Sequence, residues 1–179
     1  IHADRWHSTT AWPPVPTQPM YLAPEGVASS TRPASASMAE YQVRFDTTTG
    51  SHTRWERLGA ANIEHYYKDW QGRDERLLNF TTAPCAHDVE LSGHAVAQLQ
   101  VASSQRDAAL YVYLSEVEAD GRTHFTTEGM LRALHRAQGE APAAYRTTWP
   151  WRPFTRAHAK LLTPGVAERL VFALLPVSW

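Results

Sequence analysis

Apolar and polar side chains alternate with a period of two in the second half of the chain, the pattern of half-buried β-strands. Over 94–102, Ala97, Leu99 and Val101 alternate with glutamines. The segment 109–118 alternates in the same way and is rich in the β-branched and aromatic residues that favour strands. We therefore predict one strand over each segment.

Turn signals separate these strands from their neighbours. The sequence SSQRD occupies 103–107, and ADGR at 119–122 contains an Asp-Gly pair that favours a hairpin turn. A further strand is predicted over 124–127. The pattern then predicts one short helix over 127–135, because Met130, Leu131 and Leu134 would form an apolar stripe.

Short strands separated by turns predict an all-β fold, specifically a β-sandwich or jelly roll, over 41–179. No β-α-β alternation is present, so a complete α/β-hydrolase sheet is not expected in this chain. The segment 170–175, LVFALL, is apolar at every position. We therefore expect both faces of this strand to be covered.

The first 40 residues differ in composition from the rest. They contain Trp6 and Trp12, a cluster of prolines between 13 and 19, and a Ser/Ala/Pro tract. Proline fixes φ and removes an amide donor, so an extended segment along the surface is expected. The tryptophans suggest that this segment is pinned against other parts of the protein.

Charge and cysteine content exclude several classes of function. Seventeen basic and eighteen acidic residues nearly cancel, which disfavours binding to nucleic acid or to an anionic membrane. No apolar run approaches the roughly 20 residues of a membrane span. The single cysteine, Cys85, cannot form an internal disulfide. The first residues lack the features of a secretion signal, and the compartment is left open.

The sequence offers little catalytic or metal chemistry. It contains no Gly-x-Ser-x-Gly nucleophile motif, and its nine histidines include no His-x-x-x-His pair, so we expect neither a metal nor a cofactor. Glu116, Glu118 and Asp120 alternate before a turn and could serve calcium, but a solvated strand edge is the favoured interpretation.

Three tryptophans are candidates for stacking against sugar rings: Trp70, Trp149 and Trp151. The densest cluster is Trp149-Pro150-Trp151-Arg152. Large aromatics also bury well and concentrate at interfaces, and that interpretation is the stronger one.

Five motifs, taken in order, resemble those of one known family. They are RLLNFTTAP (76–84), DVELSGH (88–94), YVYLSEVEADG (111–121), TEGMLRALHR (127–136) and LLPVSW (174–179). As a set they resemble the C-terminal non-catalytic β-sandwich of the X-prolyl dipeptidyl-peptidase, cocaine esterase and α-amino-acid ester hydrolase family of serine hydrolases. The resemblance implies a galactose-binding-like jelly roll, partnered by an α/β-hydrolase domain in the same chain or co-encoded.

The same resemblance implies where function lies. The catalytic Ser, Asp and His of the family belong to the other domain, so no catalytic residue is assigned here. WHSTTAWPP (6–14) and MYL (20–22) resemble the crossing from the catalytic domain into the sandwich, so we expect residues 1–40 to form this crossing segment and 41–179 to form the sandwich. The stretch 45–58 resembles a segment near the active-site mouth and makes Thr49, Gly50, His52 and Trp55 candidates for the substrate-pocket rim. An ordinary glycine turn followed by a packed tryptophan is the equal alternative.

The resemblance also implies that the last strands of the sandwich follow Trp179 and are absent from this sequence. We expect an open sheet edge, a tendency to aggregate, and a route to oligomers through that edge. The favoured function is a non-catalytic domain that supports a serine hydrolase. The alternatives are a stand-alone galactose-binding-like carbohydrate module and a truncated product without its own function.

Overall fold

The computed structural model describes residues 8–12, 16–48, 70–145 and 148–176. Within these ranges the strands are β1 (Tyr21–Ala23), β2 (Val27–Ser29), β3 (Val96–Val101), β4 (Ala109–Val117), β5 (Thr123–Arg132) and β6 (Glu168–Ala173). Single turns of 3-10 helix lie at Pro24–Gly26, Arg73–Arg76, Ala133–His135 and Arg156–His158. The described part of the chain contains no α-helix, and the all-β prediction is confirmed.

The strands pair into three two-stranded sheets, β1–β2, β3–β6 and β4–β5. In the antiparallel β3–β6 pair, Ala97 lies opposite Phe172 and Leu99 lies opposite Leu170. The turn between β4 and β5 closes where the Glu118 N–H donates to the Arg122 carbonyl at 2.9 Å. The predicted Asp-Gly hairpin turn is confirmed at this point, with Gly121 at a φ of 87°.

Two compact units make up the chain. The described residues 94–115, 126–145 and 148–176 belong to the first unit, and 8–12, 16–48, 70–93 and 116–125 belong to the second. Strands β3 and β6 lie in the first unit, and β1 and β2 lie in the second.

The core of the first unit lies between the β3–β6 sheet and the β4–β5 sheet. Its buried residues are Leu131, Ala133, Leu162, Leu170 and Phe172, with Ala97, Leu99, Val101, Ala108, Leu110 and Val112 packed around them. Every second residue of β3 and of the first half of β4 joins this core, as the alternation predicted. Two sheets that enclose an apolar core form a β-sandwich.

Strand β6 is buried on both faces, as its sequence predicted. Leu170 and Phe172 belong to the core, while Val171, which points to the opposite face, is also buried. A strand with three consecutive buried residues cannot have one side in water.

The predicted helix over 127–135 is wrong. Residues up to Arg132 continue β5, and only Ala133–His135 form a single 3-10 turn. Thr127, Gly129 and Leu131 are buried while Met130 is exposed, which is the period of a strand. The Leu175 N–H donates to the Glu128 carbonyl at 2.7 Å, so pairing with a distant segment overrides the local helical pattern.

The second unit contains a small hairpin and a buried tryptophan. Strands β1 and β2 pair antiparallel, and Val27 forms a parallel bridge with Thr81. The Ala28 N–H donates to the Thr81 carbonyl at 2.9 Å, and the Thr81 N–H donates to the Gly26 carbonyl at 2.7 Å. The hairpin lies within the first 40 residues, where an extended segment was expected.

No helix in the described ranges has the length and hydropathy that crossing a membrane would need.

Candidate functional site

The residues predicted to form the rim of a substrate pocket, Thr49, Gly50, His52 and Trp55, lie outside the described residues. The nearest described position is Thr48. Their placement in a pocket stays a prediction.

Trp70 lies in the interior of the second unit, with only 4% of its surface exposed. Its ring meets the edge of Phe125 at a centroid distance of 6.4 Å, and its backbone N–H donates to the Thr123 carbonyl at 2.9 Å. A sugar ring needs an exposed indole face, and in this conformation the indole of Trp70 is covered.

Trp149 and Trp151 lie in the first unit and differ in exposure. Trp149 is 39% exposed. The centroids of its ring and of the His94 imidazole lie 4.4 Å apart, at an interplanar angle of 59°. Trp151 is half-buried, and its backbone carbonyl accepts from the Gly139 N–H at 3.1 Å. A Cβ at Gly139 would lie 3.3 Å from the Trp151 ring, so glycine allows this close packing.

Arg152, the next residue, is buried, although charged side chains seldom are. Its guanidinium donates a hydrogen bond to the Val171 carbonyl on β6. Burial lowers the pKa of Arg152, because removing water from the guanidinium disfavours its charged form. Arg152 thus ties the Trp149–Arg152 loop to β6.

Arg136, in the motif TEGMLRALHR, joins three further segments of the same unit. Its guanidinium donates to the carbonyls of Lys160 and Ala133 and to the Glu168 carboxylate, the last at 3.0 Å. Charge-assisted hydrogen bonds of this kind are stronger than neutral ones. The motif therefore has a structural role in this unit.

Asp107, in the predicted SSQRD turn, organises the end of β5. Its carboxylate accepts from Arg132 Nε at 2.6 Å, from the Leu134 N–H at 3.1 Å and from the Ala108 N–H at 3.0 Å. Partial burial acts to raise the pKa of Asp107, but these three hydrogen bonds together lower it below its ordinary value.

An open cleft of about 530 Å³ lies in the second unit. Its lining consists of Gln71, Gly72, Asp74, Glu75, Asp120, Gly121, Arg122 and Thr123. These lining residues include no serine, cysteine or histidine, the side chains that most often act as nucleophile or general base in acyl transfer. The cleft offers polar contacts and a local excess of carboxylates.

Two of the three carboxylates considered for calcium, Glu118 and Asp120, are engaged by Arg122. Arg122 lies 2.6 Å from Glu118 and 2.8 Å from Asp120, and His124 lies 2.8 Å from Glu118. The Arg122 backbone N–H and guanidinium lower the pKa of Asp120. Across the described ranges, no group of three or more His, Cys, Asp or Glu side chains is placed to hold a metal ion.

Two curated proteins and one family model match this chain. The chain is 38% identical over 178 residues to a protein named "Putative serine esterase" from Mycobacterium bovis, and equally to one of that name from Mycobacterium tuberculosis. Each match covers 98% of this chain but 28% of the relative. The chain therefore spans less than a third of the length of these relatives. No solved structure matches it significantly.

The family model described as the X-Pro dipeptidyl-peptidase C-terminal non-catalytic domain matches residues 2–178. This match covers almost the whole chain and includes all five motifs except the last residue. The chain belongs to the family of X-Pro dipeptidyl-peptidase C-terminal non-catalytic domains.

Proposed function

We propose that this chain is the non-catalytic C-terminal β-sandwich of a larger serine hydrolase. In this proposal an α/β-hydrolase domain of the same protein performs catalysis. The sandwich supports that domain and forms part of the wall of its substrate pocket. The parent reaction is acyl transfer from a peptide, amide or ester to a serine and then to water.

One observation carries the proposal: a non-catalytic domain family matches nearly the whole chain, while the chain covers 28% of relatives named as serine esterases. The remaining length of those relatives is ample for a catalytic domain, since typical domains have roughly 50–250 residues. The sequence itself contains no Gly-x-Ser-x-Gly motif.

The described side chains support a structural role. Arg136, Arg152 and Asp107 use their charged groups to join backbone segments of the first unit. Charged groups engaged in this way stabilise an architecture and are not free to act on a substrate. We place the pocket wall at Thr49, Gly50, His52 and Trp55. Residues 1–40 form the crossing segment from the catalytic domain in this proposal, and 41–179 form the sandwich.

The test compares the full-length gene product with the 179-residue chain on a p-nitrophenyl ester and an aminoacyl-p-nitroanilide. We expect the full-length protein to hydrolyse at least one of them and the chain alone to hydrolyse neither. Hydrolysis by the chain alone would refute the proposal.

A matched pair of variants tests the pocket wall. In the full-length protein, His52→Ala should raise KM, whereas His87→Ala, at an exposed position in the second unit, should leave KM unchanged. Equal effects of the two variants would remove His52 from the pocket wall.

A carbohydrate-binding module is the second candidate, and the partial exposure of Trp149 is the observation that favours it. Binding of the chain to a glycan array, lost in Trp149→Ala, would establish this function. Absence of binding would leave the hydrolase domain as the sole proposal.

A further inference from the structure

Large apolar side chains are unusually exposed in one segment of the second unit. Met38 is 89% exposed, Val43 is 64% exposed and Phe45 is 97% exposed. Single exposed apolar residues are ordinary on protein surfaces, but clusters of them mark interaction sites. We call residues 38–47 the Phe45 segment.

The Phe45 segment also has the sequence pattern of a one-sided surface. Tyr41, Val43 and Phe45 alternate with the polar residues Glu40, Gln42 and Arg44. A half-buried extended segment has this alternation, because residues two apart face the same way. Tyr41, Val43 and Phe45 are all exposed. The alternation therefore indicates an apolar face that none of the described residues covers.

A reverse turn presents Phe45 at its tip. The Thr47 N–H donates to the Arg44 carbonyl at 3.3 Å, which closes a four-residue turn with Phe45 at its second position. Arg44 binds the Asp46 carboxylate at 3.0 Å, and the hydrogen bond from Arg44 lowers the pKa of Asp46. The turn is therefore held by its own side chains.

Contacts with a second segment position this turn. Arg76, at the end of the 3-10 helix Arg73–Arg76, lies 3.6 Å from the Asp46 carboxylate. The Tyr41 hydroxyl donates to the Arg76 carbonyl at 3.3 Å. These contacts hold the backbone that carries Phe45, so the turn itself loses little conformational freedom when Phe45 is buried by a partner.

We propose that the Phe45 segment docks on the catalytic domain of the larger protein, with Phe45 inserted into an apolar pocket of that domain. The inference rests on the proposed function. The length of the relatives indicates which partner covers the Phe45 segment. The chain covers 28% of each relative, so most of such a protein lies outside this chain and is available to cover the segment. The charges of Arg44 and Asp46 offset each other, so the partner surface is expected to be apolar with little net charge.

The three methionines of the chain provide an internal test. Met38 is 89% exposed, Met20 is 54% exposed and Met130 is 44% exposed. Peroxide oxidises exposed methionines faster, and peptide mass spectrometry measures each rate separately. In the 179-residue chain Met38 should react fastest. In the full-length gene product Met38 should slow by about tenfold or more relative to Met130, because the catalytic domain covers it.

Two variants of the full-length protein test the anchor itself. Phe45→Ser should shorten the half-life of esterase activity on heating by about tenfold. The free energy gained by burying a phenylalanine side chain at an interface corresponds to at least about a tenfold change. Val89→Ser, at an exposed apolar position of the same unit, should leave the half-life unchanged.

Each result has a defined meaning. An active full-length protein in which Met38 still reacts fastest, or in which the two variants behave alike, overturns the docking proposal and leaves the proposed function intact. Concentration-dependent protection of Met38 in the 179-residue chain makes a second copy the occupant and also overturns it. A full-length product without hydrolase activity refutes both proposals.

Discussion

Replacing Gly129 with alanine distinguishes the strand seen at this position from the helix that the sequence suggests. In an exposed helix interior, alanine is more favourable than glycine by about 1 kcal/mol, so the substitution would stabilise the protein. In β5, a Cβ at Gly129 would lie 2.9 Å from the Ala173 carbonyl oxygen and 3.1 Å from Leu174 Cα. The two interpretations therefore predict effects of opposite sign.

The backbone around Gly129 limits how far the structure can relax. The Leu175 N–H donates to the Glu128 carbonyl at 2.7 Å, and the Thr127 hydroxyl donates to the Leu175 carbonyl at 2.7 Å. These bonds hold β5 against the residues that follow β6. An added methyl group must push two hydrogen-bonded backbones apart, and overpacking of this kind costs about 1–3 kcal/mol.

Urea unfolding of the 179-residue chain, followed by tryptophan fluorescence, measures this cost. We expect Gly129→Ala to lower the free energy of unfolding by about 1–3 kcal/mol. Gly139→Ala is the matched control, because the atoms nearest its Cβ belong to the side chains of Trp151 and Pro153. The Trp151 ring, 3.3 Å from that Cβ, can shift where a hydrogen-bonded backbone cannot, so Gly139→Ala should cost less than Gly129→Ala. A Gly129→Ala protein as stable as the wild type, or more stable, would refute the strand packing.

Three further substitutions test the core and two titratable groups. Leu170→Ala should destabilise the chain by about 2–5 kcal/mol in the same unfolding assay, whereas Leu161→Ala, at an exposed position, should cost less than about 1 kcal/mol. Arg132 and two backbone N–H groups lower the pKa of Asp107, so its carboxylate should stabilise the fold above roughly pH 4 and lose this effect as the pH falls further. Asp107→Asn should remove this pH dependence. The unfolding midpoint measured as a function of pH checks it. Burial raises the pKa of Tyr113 to about 12, so an ultraviolet titration should show a phenolate transition near that value, and the Tyr113→Phe protein should lack it. The contribution of Tyr113 to stability should fall as the pH rises above roughly 10. A Tyr113 that ionises near pH 10 would contradict its burial.

Sequence patterns identified the strands whose partners lie on one side. Strands β3 and β4 alternate because one face of each meets the core, and that alternation is visible without knowledge of the partner. Strand β6 was recognisable as covered on both faces because its last four residues belong to the run of six consecutive apolar residues at 170–175. In these strands the order of apolar and polar residues shows directly which faces are buried.

The errors occurred where distant contacts decide the structure. Residues 127–132 are strand because they bond to residues near 175, and the local apolar stripe gives no sign of that pairing. The β1–β2 hairpin has strands of three residues each and is supported by Thr81, about fifty positions away, so its own sequence is too short to predict it.

The roles of individual polar residues were least accessible from sequence. Arg136 and Arg152 are buried or half-buried hydrogen-bond donors, whereas Arg122 is exposed and engaged by two carboxylates. The same residue type occurs in all three places, and only the surrounding backbone distinguishes them. The same limit applied to Trp70, for which the sequence left sugar stacking open beside the favoured buried role; the side chain is 4% exposed.

Labelling of the full-length gene product with a fluorophosphonate, a reagent that reacts with activated serines, tests the central claim most directly. Mass spectrometry then locates the modified serine. We predict a single labelled serine outside residues 1–179, within a Gly-x-Ser-x-Gly sequence, and no label on the 179-residue chain alone. A labelled serine within residues 1–179 would contradict the assignment of this domain as non-catalytic.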